Sequence, residues 1–449
     1  MGSSHVRPQA TDTRQISEQR RTADRSSTGH RTLTASAAVH APIACHPGQY
    51  DRLGPHDRPA LRAALAAAAE DAIIYDLDGI GRQYSALCAE LPGVAIRFAM
   101  KACPVGEVLA HLAHLGSGFD AAGPQEVVEA LRTGAAPESI HYGNTVKSDR
   151  NIAEAYRLGV RDFATDSIED VAAIAEHAPG SRVFCRIATT GDGALWGLSH
   201  KFGCSPDDAV RVLGAARATG LVPSGLSVHV GSQQMTSEAW FEAIETLAAL
   251  VETLNRHGIV PDRINLGGGL PALGVLDRHG RPLEPPLDKM FTVIREGMER
   301  LRAVNAGPLD FLLEPGRHLV ADHGAIRAHT VRLTSRHRLD GTREDWLYLS
   351  CGKFNGLYEM DQLQYRLEFP THPEGQFVNA VVAGPTCDSD DAYAQDGMVR
   401  VPRTITSGDP VWVHSCGAYA AAYATQGFNG FSPLPYTCIG GRAPDGEGA

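Results

Sequence analysis

Residues 162–188, DFATDSIEDVAAIAEHAPGSRVFCRIA, read as a β-rich run, a helical stretch rich in Ala and Glu, and a second β-rich run. The same unit recurs on both sides. Upstream stand AIIYDL at 72–77, VAIRFAMKA at 94–102 and HYGN at 141–144, and downstream GLSVHVG at 225–231, RINLGGG at 263–269 and FLLEPGR at 311–317. Further helical candidates fill the intervals at 106–116, 124–134 and 238–258. Strand-then-helix repeated over roughly 240 residues is what an eight-stranded β/α barrel needs, although a doubly wound sheet gives a similar string. We read the chain as α/β, with a (β/α)8 TIM-type barrel over 76–325. Beyond it, short alternating runs such as IRAHTVRLTSRH, DWLYLSCG, FVNAVVAGP and GDPVWVHSCGAYA are joined by Gly, Pro and Asp turns. Helical periodicity is gone there, so a C-terminal all-β domain is expected over 326–449, joined by an N-terminal segment at 41–75.

The 449 residues exceed what one compact core usually serves. With 41 Lys and Arg against 52 Asp and Glu, the net charge is −11. An acidic chain is poorly suited to phosphate backbones, so nucleic acid is not an expected partner. No run of about 20 apolar residues is present, so no membrane span is expected. Nine cysteines form no Cys-x-x-Cys pair, which argues against a disulfide framework and a zinc site and fits a reducing, cytoplasmic setting. Residues 1–35 carry six Arg, three acidic residues and seven apolar ones. We expect a disordered tail over 1–40, with an Arg- and Ser-rich targeting peptide as the alternative.

Several strand ends carry reactive groups. Lys101, in RFAMKAC, sits where a barrel strand opens into its mouth, and desolvation there is expected to lower its pKa towards a nucleophilic amine. A solvated surface lysine is the ordinary alternative. Gly267, Gly268 and Gly269 follow the run RINL, and bare backbones let amide N–H groups converge on a phosphate, although a tight turn needs glycine equally well. Glu314, Gly316 and Arg317 in EPGR place a carboxylate, a turn and a guanidinium at another strand end. A structural salt bridge is the plain alternative. His229 in VHVGSQ stands at a strand end with Ser232 three residues on, and could equally be a core histidine. Cys387 and Asp388 lie in GPTCDSDD, a turn dense in carboxylates that could also be a solvated loop.

Lys101, HVGS, GGG, EPGR, GPTCD and GAY occur in one order over about 360 residues, and in this the chain resembles the pyridoxal-phosphate decarboxylases of the ornithine/diaminopimelate type. The resemblance implies an alanine-racemase-like barrel before a β domain, pyridoxal 5'-phosphate held on Lys101, and a head-to-tail homodimer with shared sites. It further implies that His229 stacks on the cofactor ring and Glu314 pairs with the pyridine nitrogen. Ser232, Gly267, Gly268, Gly269, Gly316, Arg317 and Tyr419 of CGAYA would meet the phosphate, with Asp120 and Arg186 on the cofactor side. Cys387 would cross the dimer as the proton donor to the decarboxylated carbon, and Asp388 would face the far end of the substrate. No metal is implied.

The Cys-Asp pair resembles the ornithine type, where diaminopimelate enzymes carry Cys-Glu. Yet the segment 352–369 offers Gln364 or Arg366 near the place of a second ornithine-type aspartate, and Glu359 at the place of the diaminopimelate-type arginine. The expected substrate is therefore a basic diamino acid, ornithine- or lysine-like, or a modified, conjugated or carrier-bound derivative. A diaminopimelate-type decarboxylase and an amino-acid racemase on the same barrel are the alternatives. The racemase would not need GPTCD, and a catalytically dead regulatory homologue would be expected to lose Lys101 or Cys387.

Overall fold

The computed structural model describes residues 58–197 and 200–441, so the tail expected over 1–40 lies outside the described residues. Strands follow in the order β1 (Ala72–Asp76), β2 (Val94–Ala99), β3 (Gly118–Ala121), β4 (Ile140–Tyr142), β5 (Asp162–Thr165), β6 (Arg182–Arg186), β7 (Ala194–Trp196), β8 (Val222–Ser227), β9 (Ser232–Gln234), β10 (Arg263–Asn265), β11 (Leu276–Asp277), β12 (Asp310–Leu313) and β13 (Gly324–His337). Eight of them, β2, β3, β4, β5, β6, β8, β10 and β12, pair in parallel and close into a barrel. Closure is made by Phe311 opposite Val94 through Leu313 opposite Ile96.

Local chemistry explains the repeat. In the unit at 162–188 the four residues of β5 are all buried, and Ser167 caps the following helix by accepting the Asp170 N–H at 3.2 Å. That helix, Ile168–His177, turns Val171 and Ile174 into the core and ends before β6. Buried strands between amphipathic helices are the pattern of a parallel sheet covered on its outer face.

One strand counted in the β/α repeat falls within the segment at 41–75 expected to join the β domain. AIIYDL forms a strand, but β1 lies outside the barrel, antiparallel to β13 and parallel to Tyr436–Ile439. Its run is buried on both faces, and periodicity says nothing about which sheet such a strand will join. The barrel position is filled instead by β3, whose four residues GFDA are too short and polar to stand out.

Past the barrel, the strands Arg366–Glu368, Pro410–His414, β13, Arg343–Leu349, Phe377–Ala383 and Val399–Pro402 lie side by side in that order. β13 pairs through its first half with β1 and Pro410–His414, shifts register between Thr330 and Arg332, and continues against Arg343–Leu349. It thus serves two parts of the sheet with one strand. Among the described residues, no helix is long and apolar enough to cross a membrane.

Candidate active site

The carboxyl ends of the barrel strands converge on a cavity of about 390 Å³, at the end of this architecture that builds active sites. β2 runs into the turn Met100–Ala102, which sets Lys101 in the cavity lining. Backbone bonds fix that turn from two directions. The Ala99 N–H donates to Pro315 O of the EPGR segment (3.0 Å), and the Tyr419 N–H of the β domain donates to Ala102 O (2.7 Å). Tyr419 holds a φ of 65°, unusual for a residue with a side chain, to make that contact.

Below the amine lies an alternation of charges. Lys101 Nζ donates to Asp120 Oδ2 at 3.0 Å, and Asp120 Oδ1 is 3.2 Å from His141 Nε2. The same nitrogen is 2.8 Å from Glu314 Oε1, which accepts from Asn265 Nδ2 at 2.5 Å. A fully buried imidazole thus stands between two carboxylates. Burial and Arg97 oppose its charge, but Asp120 and Glu314 outweigh them and raise its pKa. For Lys101 the outcome reverses the sequence expectation. Desolvation does push its pKa down, yet Asp120 and Glu314 push harder the other way, and the ammonium is held above its ordinary value. Asp120 is correspondingly held below the usual carboxylate range: burial resists its charge, but Lys101 and His141 prevail.

His229, just past β8, is neutral. Desolvation, Arg186 and Lys101 bring its pKa down to about 3, and the Gly268 N–H donates to its Nδ1 at 3.2 Å. That bond assigns the ring proton to Nε2. Arg186, at the end of β6, lines the same cavity with its guanidinium 5.0 Å from the Phe202 ring.

The glycine turn and Arg317 line the same cavity. Gly267 and Gly269 take φ of 66° and 121°, and a Cβ added to Gly268 would lie 2.6 Å from Glu314 O. Arg317, opening the short helix Arg317–Val320, donates to both Glu359 oxygens at 2.6 Å and to Ser232 Oγ at 3.2 Å. Its guanidinium lies 4.6 Å from the Trp196 ring and 4.9 Å from that of Tyr419, and its Nε has no acceptor among the described residues. An amine, a hydrogen-bonded carboxylate, a side-chain-free cradle and an unspent guanidinium donor fit a phosphorylated pyridine aldehyde. Asp120, His141 and Glu314 also offer three donor atoms within 4.8 Å of one another. A divalent ion there would face the Lys101 ammonium and Arg186, so charge balance favours the amine over a metal.

The cavity therefore unites Lys101, Asp120, Arg186, His229, Ser232, Gly268, Gly269, Glu314, Gly316, Arg317 and Tyr419, with Gly267 shaping the turn beneath. Four sequence candidates stand elsewhere in the chain. Cys387 is exposed, its N–H donating to Asn429 Oδ1 at 2.9 Å, and Asp388 accepts from the Asp390 N–H at 2.9 Å. Glu359 is buried behind Arg317, outside the lining, and Arg366 Nε donates to Gly274 O at 3.0 Å. Sequence reasoning missed His141, Asn265 and Trp196. The available signal was a polar residue within an otherwise buried barrel strand, as in IHY and RIN.

Residues 77–321 match the family model described as the pyridoxal binding domain of the pyridoxal-dependent decarboxylases. A lysine/ornithine decarboxylase of Selenomonas ruminantium is 30% identical over 368 residues, covering 81% of this chain and 88% of the relative. Among solved structures, lysine decarboxylase from the same organism superposes with a TM-score of 0.75 at 28% identity, over 86% of this chain and 96% of that one. The lysine/ornithine decarboxylase of Vibrio vulnificus complexed with putrescine gives 0.73 at 26% identity, over 86% and 98%.

Proposed function

Because the chain belongs to the pyridoxal-dependent decarboxylase family, we propose that its cavity removes the α-carboxylate of a basic diamino acid, ornithine- or lysine-like or a derivative of one, as carbon dioxide. The enzyme class and its cofactor, pyridoxal phosphate, follow from the family. The observation that carries the site reading is the placing of Lys101 Nζ 3.0 Å from Asp120 in one cavity with Glu314, His229 and the glycine cradle.

When bound, the cofactor supplies an electron sink for the carbon that loses the carboxylate. The remaining work belongs to the chain. Lys101 is the amine that would hold the cofactor. Glu314, held by Asn265 and His141, keeps a proton on the pyridine nitrogen. His229, neutral, offers a flat face to the ring without adding charge. Arg317, Ser232 and Gly269 would orient the phosphate, with Gly316 and Tyr419 closing that end, while Gly267 and Gly268 shape the turn, their N–H groups taken by Asn265 Oδ1 and His229 Nδ1. Asp120 and Arg186 balance charge on the cofactor side.

Cys387 as proton donor and Asp388 as the contact for a distal ammonium would come from a second copy of the chain, since neither lines the cavity that holds Lys101 in its own chain. A homodimer reading has support on the surface. Tyr358, Tyr423, Phe428 and Phe431 are exposed, Tyr358 stacks on Tyr423 at 4.1 Å, and Phe354 lies 4.5 Å from Phe428. This aromatic patch adjoins Asn429, the partner of Cys387, and reaches the site through Tyr423 and Tyr419. Contiguous exposed aromatics bordering a polar site are characteristic of a protein interface. We place Glu359 on Arg317 rather than on substrate, and give Arg366 a structural part in the sheet.

The test is carbon dioxide release by the cofactor-loaded protein from ornithine, lysine, arginine, diaminopimelate and conjugated amino acids. Turnover of ornithine or lysine is expected. Turnover confined to diaminopimelate, or interconversion of enantiomers without gas release, would overturn the reading.

A further inference from the structure

We propose that Cys185 and Cys204 are an oxidisable thiol pair in the wall of the active-site cavity, joined into an intrachain disulfide by a small-molecule disulfide such as oxidised glutathione, and that the bond holds the cofactor in. The second part rests on the cofactor reading above; the first does not.

The two Sγ atoms are 3.5 Å apart and 19 positions apart in the chain. Neither cysteine sits on a loose loop. Cys185 is buried in β6, next to Arg186 of the cavity lining. Cys204 is laid against the exit of β6: its N–H donates to Arg186 O and its carbonyl accepts from the Ala188 N–H, both at 3.0 Å. Cys204 is partly exposed, so a reagent reaches it first. It is also the more acidic of the two. Hydrogen bonding from Cys185 lowers its pKa against the opposing effects of burial, Asp166 and Asp208, while Cys185 is raised by the same contact.

The exchange balances without any protein-bound oxidant. The Cys204 thiolate attacks one sulfur of the reagent, whose S–S bond breaks and releases one thiolate. Cys185 then gives its proton to solvent and attacks Cys204 Sγ, releasing the second thiolate. Two protein thiols are oxidised and one reagent disulfide is reduced. Bringing the sulfurs to about 2.05 Å needs a shift of roughly 1.5 Å, which falls on the partly exposed Cys204.

The segment closed by this bond carries Thr189, Gly197 and Phe202 of the cavity lining, and Trp196, which covers the Arg317 guanidinium. Phe202 in turn lies over Arg186. Fixing Cys204 to β6 ties down the base of this segment, and cofactor release past Phe202 and Trp196 is expected to slow.

The test treats the cofactor-loaded protein with oxidised glutathione and digests it under non-reducing conditions. A peptide pair linked through Cys185 and Cys204, lighter by about 2 Da than the two free peptides and split by dithiothreitol, is expected. Cys204→Ser and Cys204→Ala should each lack the link. Release of cofactor, followed by absorbance on dilution, should slow by about tenfold in the oxidised wild type and stay unchanged in both variants. If the exposed Cys387 is modified while Cys185 and Cys204 stay free, or carry separate glutathiones, the pair does not exist. A link that forms with no change in cofactor release overturns the restraint on the wall while leaving the thiol pair in place.

Discussion

Arg317 and Glu359 meet end to end, each Nη 2.6 Å from a carboxylate oxygen, and both side chains are buried. Removing one member of such a pair costs about 3–5 kcal/mol, because the other charge is left unpaired in a low dielectric. Glu359→Gln should therefore destabilise the apoprotein by about 3 kcal/mol. With cofactor bound the loss should shrink, since a phosphate brings negative charge back to the guanidinium. Thermal unfolding of both forms decides it; equal losses would detach Arg317 from the phosphate.

Lys101→Ala removes the only amine that the turn at Met100–Ala102 presents to Asp120. Borohydride should then fix no cofactor to the chain, and decarboxylation should fall by at least about 10²-fold. Persistent covalent attachment, read by mass, would move the anchor to another residue.

Cys387 is exposed and outside the lining of its own chain's cavity, so complementation tests whether sites are shared. Mixing inactive Lys101→Ala and Cys387→Ala chains should restore about a quarter of the wild-type rate, because half of the dimers are hybrids with one intact site of two. No recovery after verified subunit exchange would place each site within a single chain.

Gly268 has no room for a side chain. An alanine Cβ would stand 2.6 Å from Glu314 O and 3.3 Å from His229 Cε1, so Gly268→Ala must push back the two groups that hold the ring. Cofactor affinity is expected to drop about tenfold or more with the circular-dichroism spectrum retained, a loss of roughly 1.4 kcal/mol. Unchanged affinity by fluorescence titration would separate the cradle from the ligand.

His229 ties stability to pH. Its folded pKa of about 3 lies below the ordinary histidine value of 6.5, so the unfolded chain takes up a proton that the folded one refuses. Stability is full above pH 6.5 and declines as pH falls towards 3. His318 and His323, both depressed by burial, act in the same direction, whereas the raised His141 acts in the opposite one. In the apoprotein, His229→Gln should flatten the fall of Tm between pH 6.5 and 4; an unaltered slope would show that the imidazole is not held neutral.

The barrel and most of its cavity were legible because local signals and tertiary demands coincide there. RINLGGG is at once a strand, a turn and a cradle, and FLLEPGR a strand followed by its charged exit. What stayed hidden depended on partners distant in sequence. The carboxylate of Glu359 is taken by Arg317, 42 residues away, and the sign of the Lys101 shift depends on Asp120 and Glu314 lying together. No window of sequence contains both members of either relationship. β1 illustrates the same limit, since an apolar strand fits equally well into either sheet until its neighbours are known.

The clasp formed by β1 bears on how the chain matures. Ile73 pairs with Tyr436 and Asp76 with Ile439, whereas the barrel strands are all contained within 94–313. A nascent chain can thus close its barrel while the ribosome is still making the second sheet. The early strand must wait, half-satisfied on one edge, until residues 436–439 have emerged. Stalling synthesis shortly before position 436 should leave a particle with a formed barrel and an open, adhesive seam.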